Sequence, residues 1–224
     1  DDQSDEQFSP RVALSWRPNE STQWFASASR SFRAPSITEL FPQGVHFSVP
    51  GFPLGQGQVF TGINEFQPSP DLDPEESTQY EIGARQTHRS LLSPGDRLTL
   101  SGNLYYADVD DFIDTQVQFI DFSTATFNPM ANQLEVNGST SASNIDAKLY
   151  GFEGLARYDA GAWFASTSLT LPRGEGREDD SELASIPQDR LVLEGGIRPG
   201  RNLEIGLRAT ATRDLDENDV PEGT

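Results

Sequence analysis

The sequence predicts an all-β fold, an antiparallel up-and-down transmembrane β-barrel wall of about eight strands. Three observations carry that prediction. Apolar and polar residues alternate with period two in eight separate segments, the signature of strands with one apolar face. The connections between segments alternate between tight turns and long loops, as in a barrel with short turns at one end and large loops at the other. Trp16, Trp24, Tyr106, Tyr158 and Trp163 fall near strand ends, where interfacial aromatic girdles would sit.

The segments follow in order. Phe8 to Arg17 sets Val12, Leu14 and Trp16 against Arg11, Ala13, Ser15 and Arg17, and Pro18-Asn19-Glu20-Ser21 turns the chain. Thr22 to Arg33 sets Trp24, Ala26 and Ala28 against Ser27, Ser29 and Ser31. A long stretch from Phe32 to Pro74, rich in Gly, Pro and Phe, shows neither helix nor strand periodicity, and it reads as a ligand-collecting loop mounted on the sheet. Glu76 to Arg89 places Tyr80, Ile82 and Ala84 on one face and Gln79, Glu81 and Arg85 on the other, before the turn Ser93-Pro94-Gly95-Asp96. Arg97 to Asp108 opposes Leu98, Leu100, Leu104 and Tyr106 to Arg97, Thr99, Ser101 and Asn103. A second long connection, Asp110 to Asn144, holds only a short β-prone piece, Thr115 to Phe122. Ile145 to Tyr158 and Trp163 to Leu171 flank a turn at Asp159-Ala160-Gly161, and an acidic, Gly-rich loop spans Pro172 to Pro187. The last two segments, around Leu191 to Arg198 and Leu203 to Ala211, meet at Pro199-Gly200-Arg201-Asn202.

Composition narrows the function. The 224 residues carry a formal net charge of -19, and Lys148 is the one Lys beside 15 Arg. A nucleic-acid partner needs a basic face, and this chain has none in its pattern. Cysteine is absent, which excludes disulfides, thiolate metal sites and Cys nucleophiles. No run approaches the roughly 18 apolar residues of a membrane helix, which leaves a membrane β-barrel open, since barrel strands need only about 10 alternating residues. Asp1 to Glu6 resembles no signal or targeting segment. No nucleophile–base pair, phosphate-cradling loop or metal-ligand cluster stands out, so the chain reads as a binding protein and not an enzyme. A soluble acidic β-domain that binds carbohydrate or protein is the other class compatible with these patterns.

Four separated stretches, in order along nearly the whole chain, resemble TonB-dependent outer-membrane receptors. They are Ser29 to Phe41, Pro70 to Gly83, Tyr105 to Ile113 and Ala147 to Gly154. The resemblance implies a barrel of roughly 22 strands with an internal plug, of which residues 1–224 form part of one barrel domain. The plug, the TonB-contacting segment and the last strands are expected to lie outside them, with a further loop starting at Asp214 to Asn218. Within the family, the Phe32-Arg33-Ala34-Pro35 box is similar to that of haem and haemoprotein receptors. The second box, Pro68-Ser69-Pro70-Asp71-Leu72, departs from the family's Asn-Pro-Asn-Leu pattern at Ser69 and Asp71.

Between the boxes, the resemblance makes His46 the axial ligand of haem iron, which suits a neutral imidazole. Haem is then the transported ligand, and haem or a haemoprotein, TonB and outer-membrane lipid are the partners, in a Gram-negative outer membrane. A siderophore or cobalamin receptor is the alternative, and it would not need His46. Phe47 is a candidate porphyrin-packing residue beside His46, and Arg33 a candidate partner for a propionate. For Arg33, a role in shaping the strand exit is the preferred reading. His46 is expected to point outward at the long-loop end, with Gly44, Gly51, Gly55 and Gly57 letting the loop close over a flat ligand. His88 is read as structural, Met130 as packing, and the acidic runs Asp108 to Asp111 and Glu178 to Glu182 as solvated charge in preference to Ca²⁺ ligands.

Overall fold

A computed structural model describes residues 8–183, 185–200 and 202–213. Its strands are β1 (Arg11–Asn19), β2 (Thr22–Arg33), β3 (Val45–Gly55), β4 (Gln58–Phe66), β5 (Glu75–Arg89), β6 (Arg97–Asn128), β7 (Gln133–Asp159), β8 (Trp163–Gly176), β9 (Arg190–Gly200) and β10 (Leu203–Thr212), with one helical turn, α1 (Ile37–Leu40). Eight strands form a continuous antiparallel path, β1-β2-β5-β6-β7-β8-β9-β10, open at β1 and β10. These are the eight expected segments. The remaining pair, β3 and β4, lies off the path.

Register confirms the division of faces, because residues directly opposite in an antiparallel pair point the same way. One row runs Trp16–Trp24–Ala84–Gly102–Gly154–Leu169–Leu191–Ala211. Another joins Ile82, Leu104, Phe152 and Leu171. The apolar face is open: Leu14, Ile82, Leu104, Leu193 and Ile205 are all exposed, and the described residues place no second sheet over them. A sandwich would bury this face. Tyr150 and Tyr158, eight residues apart on β7, stand about 27 Å apart along the strand, close to the roughly 25 Å apolar band of a membrane barrel. Trp163 packs on Tyr158 with ring centroids 5.1 Å apart.

The opposite face is polar and internally bonded. Asn103 Nδ2 donates to Glu81 Oε1 at 3.1 Å and reaches Glu153 at 3.5 Å. Phe164 is buried beneath the guanidinium groups of Arg157 and Arg198. On this face the third long loop folds back on the sheet, and Leu183 seals a small core with Ala107, Val109 and Ala147.

The alternation of connections holds, with two corrections. The stretch from Asp110 to Asn144 is not an irregular connection: β6 and β7 continue as one long hairpin to a tip at residues 129–132. Register shifts between Val109 and Phe112 and between Gln118 and Asp121 break the period-two signal there, since each bulge exchanges the faces beyond it. The stretch from Phe32 to Pro74 holds α1, β3 and β4. Among the described residues β3 pairs with β4 alone, and as an edge strand it tolerates Pro50 and Pro53, which hide a strand from sequence reading. The loop onset expected at Asp214 to Asn218 lies outside the described residues.

At the short-turn end, Asp96 locks the β5–β6 connection. Its carboxylate accepts from the N–H groups of Leu91, Leu92 and Ser93 at 2.7, 2.9 and 2.7 Å, and from Tyr158 Oη at 2.7 Å. Burial opposes its ionisation, but the Tyr158 hydroxyl and the backbone donors outweigh burial and hold the carboxyl well below the usual aspartate range.

Candidate functional site

The long-loop end is built on a stitched base. β2 ends at Arg33, and Pro35 follows where a ladder donor would be needed. Arg33 opposes Glu75 of β5 in register. Its Nε and Nη2 donate to the two Glu75 oxygens at 2.6 Å each, and Nη1 donates to both Glu39 oxygens at 3.0 Å. Glu39 closes a capping box with Ser36, which fixes α1. The return limb is pinned by Asn144, whose Oδ1 accepts from Asp73 N and whose Nδ2 donates to Asp73 O and Asp111 O. Ser69 N donates to Leu40 O, which joins the two limbs. The first box therefore shapes the loop entrance, the preferred reading of Arg33. A propionate would have to displace a carboxylate to reach it.

Above this base, β4 adds to the upper part of β7 in parallel, from Val59 opposite Gln133 to Phe66 opposite Thr140. β3 pairs antiparallel to β4. Gln56 and Gly57 both have positive φ and form the tight β3–β4 turn, a conformation Gly adopts without strain. The expected glycine-hinged lid is thus a hairpin. Gly55 and Gly57 shape its turn, Gly44 with φ +100° precedes β3, and Gly51 admits the Val59 side chain. Ordered strand pairing replaces loop freedom.

His46 sits at a β-bulge. Val45 opposes Glu65 and Phe47 opposes Asn64, so His46 is the extra residue between them. Bulges re-aim side chains and cluster beside functional sites. Here the bulge brings both neighbouring rings to the imidazole: Phe47 at 5.1 Å edge-on and Phe66 at 4.7 Å between centroids. Phe119 of β6 stacks on Phe47 at 5.3 Å. The imidazole is exposed, as expected of an outward-pointing residue. Its Nδ1 lies 3.0 Å from Thr140 Oγ1, while Nε2 has no hydrogen-bond partner among the described residues. An exposed imidazole with one open nitrogen, ringed by aromatics, suits a metal centre inside a flat apolar ligand.

The other candidates fall away from this cluster. His88 lies at the short-turn end, beside the Arg89–Arg97 pair, with Gln86 as its polar neighbour. Met130 does not pack: it is 98 % exposed at the hairpin tip, because a four-residue tip gives it nothing to pack against. Asp110 and Asp146 each bond Arg177 at 2.6 Å, and Asp180 bonds Lys148 at 2.5 Å. No group of acidic and His side chains among the described residues has the geometry of a metal site.

Sequence reasoning missed Thr140, Asn64, Phe66 and Phe119. All lie within stretches read as loops or connections. The one available signal was the β-prone piece Thr115 to Phe122, which contains Phe119.

A family model described as "TonB dependent receptor-like, beta-barrel" matches residues 1–222. The chain belongs to the TonB-dependent receptor β-barrel family. Among the relatives of this TonB-dependent receptor chain is the Heme/hemopexin utilization protein C of Haemophilus influenzae, 29% identical over 191 residues, covering 84% of this chain and 25% of that protein. A Hemin receptor of Yersinia pestis is 27% identical over 188 residues, again covering 84% of this chain and 25% of the relative. The chain thus spans about a quarter of the length of these curated relatives. Among solved structures, the Serratia marcescens hemophore receptor HasR, in complex with its hemophore HasA and heme, aligns with TM-score 0.61 and 22% identity over 89% of this chain and 31% of that one. That likeness supports the barrel fold of a TonB-dependent receptor.

Proposed function

We propose that this chain supplies a section of barrel wall and the ligand-collecting loop of a longer outer-membrane receptor that binds haem and imports it with TonB-supplied energy. The observation that carries the reading is His46: an exposed imidazole, displaced by a bulge into an aromatic cluster, with Nε2 open. Nε2 is the axial ligand to the iron of the cargo, and Phe47 offers the porphyrin an apolar edge. Arg33 holds the loop entrance through Glu75 and Glu39. The relatives named for heme and hemin use support the choice of cargo. The open apolar face supports insertion in the outer membrane, where its side chains meet lipid and the polar face turns inward.

The test is growth of the host on haemin as sole iron source, with the receptor carrying His46→Ala or His88→Ala. The reading predicts that His46→Ala slows growth markedly at unchanged receptor level in the outer membrane, and that His88→Ala leaves it unchanged. Equal growth of wild type and His46→Ala would reject the ligand role and favour a siderophore as cargo.

A further inference from the structure

We infer that Thr140 and Asn64 are positioning residues that set which nitrogen of His46 faces the iron. The inference rests on the reading of His46 as a haem ligand. It stands on a short buried chain of hydrogen bonds whose polarity is fixed from its far end.

The chain begins at a backbone carbonyl. Gln118 O can only accept, and Asn64 Nδ2 donates to it at 3.0 Å. That orients the Asn64 amide, so its Oδ1 must face the other way, onto Thr140 Oγ1 at 2.5 Å. A hydroxyl has one proton, and here it goes to Asn64. Toward His46, Thr140 Oγ1 therefore has only lone pairs left. The 3.0 Å contact with His46 Nδ1 requires Nδ1 to carry the proton. In the neutral ring Nε2 is then unprotonated, and it is the nitrogen that is open.

Burial keeps this polarity from being scrambled by water. Asn64 and Thr140 are each 1% exposed. The backbone makes room for the amide: Gly138 lies opposite Asn64, and a Cβ there would stand 2.2 Å from Phe119 O, 2.5 Å from Gln118 O and 2.8 Å from Asn64 Nδ2. Every strand of the upper sheet contributes: the bulge on β3 supplies His46, β4 Asn64, β7 Thr140 and Gly138, and β6 the Gln118 carbonyl. A hydrogen bond from the distal N–H fixes a ligating imidazole's tautomer and ring orientation and strengthens it as a donor to the metal.

The test uses the purified full receptor and haemin, with Thr140→Val, Thr140→Ser and His46→Ala. Affinity is read by Soret titration, and the iron's ligand field by the low-spin EPR g-values of the ferric complex. Thr140→Val keeps the shape and removes the hydroxyl. It should weaken haemin binding by about 10–100-fold and shift the g-values, while Thr140→Ser restores both. Wild-type affinity and g-values in Thr140→Val, with binding lost in His46→Ala, would overturn the positioning role alone. Equal impairment in Thr140→Val and Thr140→Ser would also overturn it, since shape and not the hydroxyl would then matter. Wild-type binding in His46→Ala would overturn the ligand reading and this inference with it.

Discussion

Arg33 and Glu75, directly opposed across β2 and β5, are joined by two parallel N–H···O bonds of 2.6 Å, with Glu75 also accepting from Ile113 N at 2.9 Å. The pair ties the entrance of the 34–74 segment to its exit and to β6. Exposed ion pairs contribute about 0.2–1 kcal/mol, and a bidentate fork with the half-buried Glu75 belongs at the upper end. Arg33→Lys cannot reproduce the fork. Limited proteolysis of the receptor should therefore cut within residues 34–74 faster in Arg33→Ala, and nearly as fast in Arg33→Lys. Wild-type cleavage rates in Arg33→Ala would show that Asn144 and the capping box hold the base without it.

Gly138→Ala should loosen the upper sheet. The new methyl meets two carbonyl oxygens and the Asn64 amide, and overpacking of this kind costs about 1–3 kcal/mol. Hydrogen exchange at β4 and the upper part of β7 should accelerate, with the wall strands β1, β2, β8, β9 and β10 unaffected and haemin affinity reduced. Unchanged protection at Asn64 and Thr140 would contradict the tight approach of β4 to β6.

Acid should release the Asp96 lock. Its carboxyl is depressed in the folded state, so its contribution is complete above the ordinary aspartate value of 3.8 and is lost as pH falls through the folded value. Thermal stability of wild-type receptor should exceed that of Asp96→Asn at neutral pH, and the gap should close progressively as pH falls below 3.8 toward the depressed folded value. A gap that is constant over that range would mean that the hydrogen bonds, and not the charge, carry the effect.

An open sheet with an apolar face in water should not be a stable monomer. Among the described residues β1 and β10 each pair on one side only, and unpaired edges promote association. Residues 1–224 expressed alone should be aggregated or detergent-dependent in sedimentation. A monodisperse monomer with a cooperative thermal transition in detergent-free buffer would be the opposite result.

The barrel wall was legible because burial on one face writes itself into every second residue. Leu98, Leu100 and Leu104 alternate with Arg97, Ser101 and Asn103, and register places each set on its expected face. The upper sheet was not. Pro50, Pro53 and the glycines around them mask β3, and the Asp110–Asp111 bulge, with φ 56° at Asp111, interrupts β6 where its alternation would have been read. His46 and Phe47 were legible through motif resemblance, but their surroundings were not. Thr140 is 94 positions from His46, and the parallel β4–β7 pairing that joins them leaves no local trace. The bulge that aims the imidazole is a property of pairing, and no single strand shows it.

The central claim is that His46 Nε2 ligates haem iron, and Soret titration of the purified receptor with haemin tests it most directly. Wild type should show saturable binding with a low-spin Soret shift. His46→Ala should lose that shift and bind at least about 10-fold more weakly, with the barrel intact by circular dichroism. An unchanged Soret position and affinity in His46→Ala would contradict the claim.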